Sequence, residues 1–238
     1  MCFDQLLIFQ ITAHLLADFT FQPHQKANEK NENGFQSRYL KYHVLVVFSF
    51  SWILSFQWSF IVGAIVIALT HWLADGIKSY YKRHNQYVKY IFFIDQILHL
   101  IIILCVSKLY TTFFEVSPIF YFSVSTVKLL IILSFLFCTK PANIMIKEVF
   151  RVFDIKVIKV GESEELPNAG KLIGIIERWL VLRFILLNQF EAVGFLLAAK
   201  SILRFKEAET LKSEYVLIGT MLSFAIAIAF GISVSLVN

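Results

Sequence analysis

Residues 59–78 have the sequence SFIVGAIVIALTHWLADGIK. The stretch begins as an unbroken apolar run and ends with His71 and Asp75, which are four residues apart. A four-residue step places two side chains on the same face of a helix. About twenty apolar residues are enough to cross a membrane as a helix, and an ionisable group inside such a helix is costly and points to a functional site. This stretch therefore predicts a membrane helix that carries part of a polar site.

The same four-residue spacing recurs in two other apolar segments, and a further histidine stands in a third. The residues concerned are His14 and Asp18, Asp95 and His99, and the separate His43. Four histidines and three aspartates thus lie in four consecutive apolar segments. This concentration predicts one shared polar centre inside a helical bundle.

The composition places the whole chain among membrane proteins. Of its 238 residues 58% are hydrophobic and 16% are charged, and the mean hydropathy is +0.68. A soluble domain of this length is far more polar. Apolar runs predict an all-α, polytopic transmembrane bundle with segments at 3–21, 39–57, 59–78, 90–110, 119–138, 171–187, 189–205 and 215–237. We expect seven or eight of these to be membrane segments, with eight preferred, because 171–187 and 189–205 form either two spans or one re-entrant hairpin.

Basic residues indicate the orientation. Lys and Arg concentrate in the predicted loops 22–41, 78–90, 139–171 and 204–214, and the intervening loops hold almost none. By the positive-inside rule these basic loops are cytoplasmic, which places both termini outside and the protein in a bacterial inner membrane. The net charge of +5 therefore reflects membrane topology, and no nucleic-acid partner is expected.

The chain is predicted to have two halves. Residues 1–110 form a membrane half of four helices that carries the His/Asp set, and residues 111–238 form a second membrane half. The second half includes the cytoplasmic segment 139–171, in which residues 142–153 have the pattern of an amphipathic helix on the membrane surface.

This topology gives the histidines and aspartates a common depth near the cytoplasmic side. Imidazole and carboxylate together suit Zn²⁺, Mn²⁺ or Fe²⁺, with Zn²⁺ or Mn²⁺ favoured here. The candidate metal ligands are His14, Asp18, His43, His71, Asp75, Asp95 and His99. They are enough for one ion with supporting hydrogen-bond partners or for a two-metal site. A proton or ion relay and simple hydrogen bonding between helices are the alternatives.

A second polar set lies in the C-terminal half, at the same predicted depth. Its cations are Arg178, Lys200 and Arg204, and Glu177 is its acid. Arg and Lys both bind phosphate, so an anionic lipid headgroup is one expected ligand. An internal ion pair is an equal alternative for Lys200 and Arg204, and it is the favoured interpretation for Glu177.

Several of these motifs together resemble an uncharacterised bacterial family of multipass membrane proteins, a domain of unknown function. The resemblance rests on His14-Leu-Leu-Ala-Asp18, His43, Thr70-His71-x-x-x-Asp75-x-x-Lys78 and Asp95-Gln96-x-x-His99. The run from Gly174 to Thr220 looks like the second half of longer members. The helices also have a more distant likeness to inner-membrane proteins labelled metal-dependent hydrolases, which implies hydrolysis by analogy.

The resulting expectation is a metal-dependent hydrolase of a membrane lipid or another phosphate-bearing amphiphile. The metal would activate water, and a carboxylate among Asp18, Asp75 and Asp95 would act as the catalytic base. A metal- or proton-coupled transporter and a non-catalytic membrane scaffold are the alternatives. A homo-oligomer is compatible with the sequence.

Overall fold

The computed structural model describes residues 2–84, 89–114, 124–155, 169–204 and 210–237, and every regular element in these ranges is helical. The all-α prediction is therefore confirmed. The α-helices are α1 (Phe3–Leu15), α2 (His24–Asn33), α3 (Arg38–Ser55), α4 (Ile61–His84), α5 (Ile91–Phe113), α6 (Thr126–Phe137), α7 (Lys140–Val152), α8 (Ala169–Leu186), α9 (Phe190–Arg204) and α10 (Thr210–Ser235).

The chain divides into two compact units, residues 1–129 and 130–238. In the first unit α1 packs on α3 and α5, and α4 packs on the same two helices, so the four helices form a closed ring. Its core includes Leu6, Val47, Ile67 and Ile103, which are nearly inaccessible to solvent. The ring gives four helices one common interior, and all four candidate histidines lie on these helices.

The first unit departs from the sequence prediction between residues 22 and 38. A loop was expected there because the segment is rich in Asn, Gln and Lys, but residues 24–33 form α2. Pro23 precedes the first turn, and Gly34 ends the helix with φ +54°, a conformation that favours glycine. A Cβ on Gly34 would meet the Ser79 hydroxyl at 2.9 Å, so the end of α2 is held close to α4.

Helix α1 also ends in an unexpected way. Residues 16–20 form a π-helical turn, closed by a hydrogen bond from the Phe21 amide to the Leu16 carbonyl of 2.8 Å. A π turn adds a residue to the helical repeat and re-aims the side chains that it carries. Asp18 lies in this turn, so its direction differs from the one that a regular helix would give it.

Three helical stretches in the described residues are long and apolar enough to cross a membrane, namely Trp58–Lys82, Ile91–Phe113 and Glu214–Ser235. A fourth candidate is the pair α6 and α7, which meet at a bend of 52°. Seven or eight spans are therefore not confirmed. The α1 helix has only 13 residues, α3 carries Arg38, Lys41 and His43 near its start, and the predicted start of segment 119–138 lies outside the described residues.

The amphipathic helix predicted at 142–153 is present as α7, and its apolar side is partly buried through Pro141, Ala142 and Phe150. In the second unit α10 packs on α7 and α8. The bend before α7 interrupts the helix at Cys138 and Thr139. The Thr139 carbonyl still accepts from the Asn143 amide at 3.4 Å, whereas the Cys138 carbonyl and the Asn143 side-chain oxygen take donors from another helix.

Arg178 of α8 supplies those donors. Its side chain is 1% exposed, and it donates to the Cys138 carbonyl at 2.8 Å and to the Asn143 side-chain oxygen at 2.7 Å. A third bond of 2.9 Å reaches the Ser223 hydroxyl on α10. One guanidinium thus connects the bend to α7, α8 and α10.

We expect Arg178→Leu to destabilise the second unit. The substitution leaves several buried acceptors without a donor, at roughly 1–3 kcal/mol each, so the loss should reach at least about 3 kcal/mol. Thermal unfolding in detergent, followed by the fluorescence of the neighbouring Trp179, measures the effect. Arg183→Leu is the matched control because Arg183 is exposed on the same helix. Equal midpoints for the two variants would contradict the anchoring role.

Candidate metal centre

Each helix of the four-helix ring contributes one histidine to a common interior. His14 comes from α1, His43 from α3, His71 from α4 and His99 from α5. Their relative exposures are between 1% and 5%. The structure also brings Asp18, Asp75 and Asp95 into this cluster, so the seven predicted ligand residues lie together.

The tightest part of the cluster is formed by two histidines and Asp18. The Nε2 atoms of His43 and His71 are 3.1 Å apart. Asp18 Oδ1 lies 3.2 Å from the His43 nitrogen and 3.4 Å from the His71 nitrogen. A fourth atom, Asp75 Oδ2, lies 3.3 Å from His71 Nε2 and 3.8 Å from His43 Nε2.

These separations are close to those between ligands of one metal ion. A Zn²⁺ ion with nitrogen and oxygen ligands at about 2.0–2.1 Å requires its ligands to be roughly 3.3–3.4 Å from one another. The three atoms His43 Nε2, His71 Nε2 and Asp18 Oδ1 meet this requirement pairwise, and Asp75 Oδ2 meets it towards His71 Nε2. The donor set also has the chemistry that Zn²⁺ and Mn²⁺ accept, two imidazoles and two carboxylates.

Hydrogen bonds alone do not satisfy this arrangement. His43 Nε2 faces another ring nitrogen and two carboxylate oxygens, and a neutral ring nitrogen carries at most one proton. Asp18 Oδ1 is buried without a hydrogen-bond partner, although two nitrogens lie within 3.4 Å of it. A cation at the centre of the four atoms would satisfy all of them at once.

Lys30 is the main site residue that the sequence analysis missed. It was assigned to a cytoplasmic loop, but it is 4% exposed, and its Nζ lies 2.6 Å from Asp75 Oδ2. Among the residues of α2 whose side chains the structure describes, which are all except His24, Lys30 alone is buried. The Pro23 and Gly34 boundaries were the sequence signal for this helix, but no pattern indicated that Lys30 turns inward.

Lys78 was likewise assigned to a loop, and it instead continues α4. Its Nζ lies 2.6 Å from Asp95 Oδ2. Gln96 lies beside this pair, and its side-chain oxygen is 3.3 Å from His14 Nε2. Two lysines and one glutamine therefore support the predicted His/Asp set, and the glutamine contacts both His14 and Asp95.

A cavity of about 10 Å³ adjoins the histidines on the side away from the lysines. It touches His14, His71 and His99 and is otherwise lined mainly by apolar side chains. This volume holds about one water molecule. The centre is thus closed in this conformation, with room for a water but not for a lipid headgroup.

The predicted headgroup cations lie in the second unit, and the described ones already have protein partners. Arg178 is used by the bend between α6 and α7, and Lys200 forms an ion pair with Glu177. The ion pair favoured for Glu177 is therefore observed. The Arg204 side chain lies outside the described residues. The structure does not bring Arg178 and Lys200 into one open anion site.

The fold and the centre define a class, an all-helical protein with membrane-span candidates and a buried His/Asp cluster. The model of the family described as protein of unknown function (DUF3307) matches residues 6–134, more than half of the chain. The chain belongs to this family, which confirms the resemblance to an uncharacterised family. Searches of curated proteins and of solved structures found no match. The matched region contains α3, α4 and α5, all of α1 except its first three residues, and all seven predicted ligand residues.

We expect Lys30→Met to destabilise the first unit when no divalent cation is present. The substitution leaves Asp75 buried without its cation, which costs about 3–5 kcal/mol. Addition of Zn²⁺ or Mn²⁺ should restore the thermal midpoint, because the ion supplies the missing positive charge. The midpoint is measured in detergent with and without metal.

Lys26→Met is the matched control, since Lys26 pairs with Glu29 on the exposed side of the same helix. An exposed pair contributes at most about 1 kcal/mol. A Lys30→Met variant that is as stable as Lys26→Met, or that gains nothing from metal, would contradict this account of the centre.

Proposed function

We propose that this protein is an integral protein of a bacterial inner membrane that binds a divalent metal ion, Zn²⁺ or Mn²⁺, inside its four-helix ring. We further propose that it is a metal-dependent hydrolase of a lipid or another phosphate-bearing amphiphile. The observation that carries the proposal is the close approach of His43 Nε2, His71 Nε2 and Asp18 Oδ1, which lie 3.1 to 3.4 Å from one another, with Asp75 Oδ2 at 3.3 Å from His71 Nε2.

Each residue has a separate role in this proposal. His43, His71 and Asp18 hold the ion, and Asp75 completes the set of ligands. In this closed conformation Lys30 lies 2.6 Å from Asp75 Oδ2 and balances part of the negative charge of the centre. When bound, the ion would supply a Lewis acid that polarises the scissile group and acidifies a water.

His14 and Gln96 have a supporting role. The contact of 3.3 Å between His14 Nε2 and the Gln96 oxygen assigns the proton to that ring nitrogen, because an amide oxygen only accepts. His14 Nδ1 is then the acceptor, and it lies 3.8 Å from Asp18 Oδ2. Gln96 therefore fixes the tautomer of a ring that borders both Asp18 and the cavity.

A transporter is the second candidate, and a specific observation favours it. Buried polar groups continue along the ring beyond the histidines. Gln10 and Ser51 form two mutual hydrogen bonds of 2.9 and 2.6 Å, and Tyr110 donates to Gln57 at 2.8 Å. Polar residues through the length of a bundle are typical of an ion or proton pathway.

The metal is tested first. Purified full-length protein in detergent is expected to hold Zn²⁺ or Mn²⁺ with a defined stoichiometry, measured by elemental analysis after gel filtration. His71→Ala should lose the ion, because His71 Nε2 takes part in three of the four short distances, those to His43, Asp18 and Asp75. Leu73→Ala, exposed on the same helix, should keep it. A His71→Ala variant with unchanged metal content would contradict the proposed site.

The activity is tested next in vesicles. A hydrolase should release inorganic phosphate from vesicles of phosphatidic acid in the presence of metal, and His71→Ala should abolish the release. A transporter should instead move Mn²⁺ or protons into sealed vesicles without lipid turnover. Uptake with no phosphate release would replace the hydrolase by the transporter.

The topology gives a further prediction. After replacement of the native cysteines, a cysteine at Lys26 should react with an impermeant maleimide only from the cytoplasmic side. A cysteine at Trp58, which is 68% exposed between α3 and α4, should react only from the other side. Labelling of both positions from one side would exclude α3 as a span.

A further inference from the structure

Two buried polar atoms next to the proposed ion lack a partner. They are Asp95 Oδ1 and His99 Nε2, which lie one turn apart on α5. Asp95 is 5% exposed and His99 is 2% exposed, so bulk water does not satisfy them. A buried polar atom without a partner is unfavourable, and a bound water or ion is one way in which a protein satisfies it. Here two such atoms on successive turns of α5 face each other, an acidic oxygen and a ring nitrogen, which are both metal-ligand types.

The other oxygen of Asp95 is already occupied. Asp95 Oδ2 accepts from Lys78 at 2.6 Å and from the Gln96 amide at 3.3 Å. Oδ1 faces His99 Nε2 at 3.4 Å, without forming a hydrogen bond. This separation is again close to the roughly 3.3–3.4 Å that two ligands of one tetrahedral ion adopt.

We propose that Asp95 Oδ1, His99 Nε2 and a carboxylate oxygen of Asp75 form a second divalent-cation site. Ligand atoms of these three residues lie within 4.8 Å of one another. Asp75 also belongs to the first site, so it bridges the two ions. The second site rests on the proposed function through this shared carboxylate, and it makes the centre binuclear.

The positions of the rings agree with a shared centre. His99 stacks on His71 with ring centroids 4.0 Å apart and an angle of 14° between the planes. One histidine of the stack belongs to each site, and they come from the neighbouring helices α4 and α5. Two-metal centres hold their ions about 3.5–4 Å apart, so adjacent ligands of this kind are what such a centre requires.

The charges predict an order of binding. Three aspartates and two lysines leave the centre with one net negative charge when the imidazoles are neutral. One divalent ion turns this into one positive charge, and a second ion adds two more. The second ion therefore binds more weakly than the first.

Lys78 provides a way to reduce that excess charge. Its side chain is 16% exposed, whereas that of Lys30 is 5% exposed. A lysine at the edge of an apolar region can extend its ammonium group towards water. Occupation of the second site is expected to displace Lys78 from Asp95 and to leave Lys30 in place.

The test uses full-length protein in detergent, titrated with Mn²⁺. Bound ions are counted after equilibrium dialysis, and electron paramagnetic resonance reports whether they interact. The wild type is expected to bind two Mn²⁺ per chain, with a spin-coupled signal that develops as the second ion binds. Asp95→Asn and His99→Gln should bind one Mn²⁺ each and give the uncoupled signal.

Ser107→Ala is the matched control, because Ser107 is another buried residue of α5 whose side chain lacks a partner. This variant should keep two coupled ions. A wild type that binds one ion overturns the second site and leaves the proposed function intact, whereas a wild type that binds none overturns both. Loss of both ions in both Asp95→Asn and His99→Gln also overturns the second site, since it would show a single set of ligands.

Discussion

The first unit depends on keeping three carboxylates inside a ring of apolar helices. An unpaired buried charge is far more costly than most other single features of a folded protein. Asp75 and Asp95 each receive a lysine ammonium at 2.6 Å, and the lysines come from different elements, α2 and α4. Lys30 of α2 and Lys78 in the later part of α4 meet this requirement for two of the three carboxylates.

Helix α2 shows how far electrostatics decides the local fold. A polar helix has no apolar face with which to dock, so its position must come from other contacts. Lys30 reaches Asp75, the Ser79 hydroxyl donates to the Asn31 carbonyl at 2.7 Å, and Phe35 packs edge-on against Trp72. A segment that is composed like a surface loop thereby covers the aspartate side of the centre.

Much of the fold could be predicted from the sequence because long apolar runs and i, i+4 spacing are local properties. The helices from α3 to α5 and the convergence of His14, His71 and Asp95 follow from such patterns. The inward turn of Lys30 and the pairing of Lys78 with Asp95 could not be predicted in this way, because both depend on carboxylates that are distant in sequence. The sequence analysis treated these two lysines as loop charges, whereas in the structure they are the counter-ions of buried aspartates.

The elements around the centre also bear on the number of membrane spans, which is not confirmed beyond three or four candidates. Helix α1 has 13 residues and ends at the π turn, and α3 begins with polar and charged residues. The described part of segment 119–138 is followed by the bend before α7, where the Cys138 carbonyl accepts from Arg178. Helix length and polar residues, as well as apolar composition, therefore decide which segments are span candidates.

The closed form of the centre limits how a hydrolase could work. The cavity next to His14, His71 and His99 holds about one water, so an amphiphile cannot reach the ion without a movement of the covering elements. The apolar ring is an unfavourable element to open, because Val47, Ile67 and Ile103 are packed and buried. Helix α2 is held by one ion pair and a few polar contacts, and its remaining described residues are not buried. In the proposed hydrolase, substrate access would therefore run through α2 and would break the Lys30–Asp75 pair, which would expose the carboxylate when the substrate arrives.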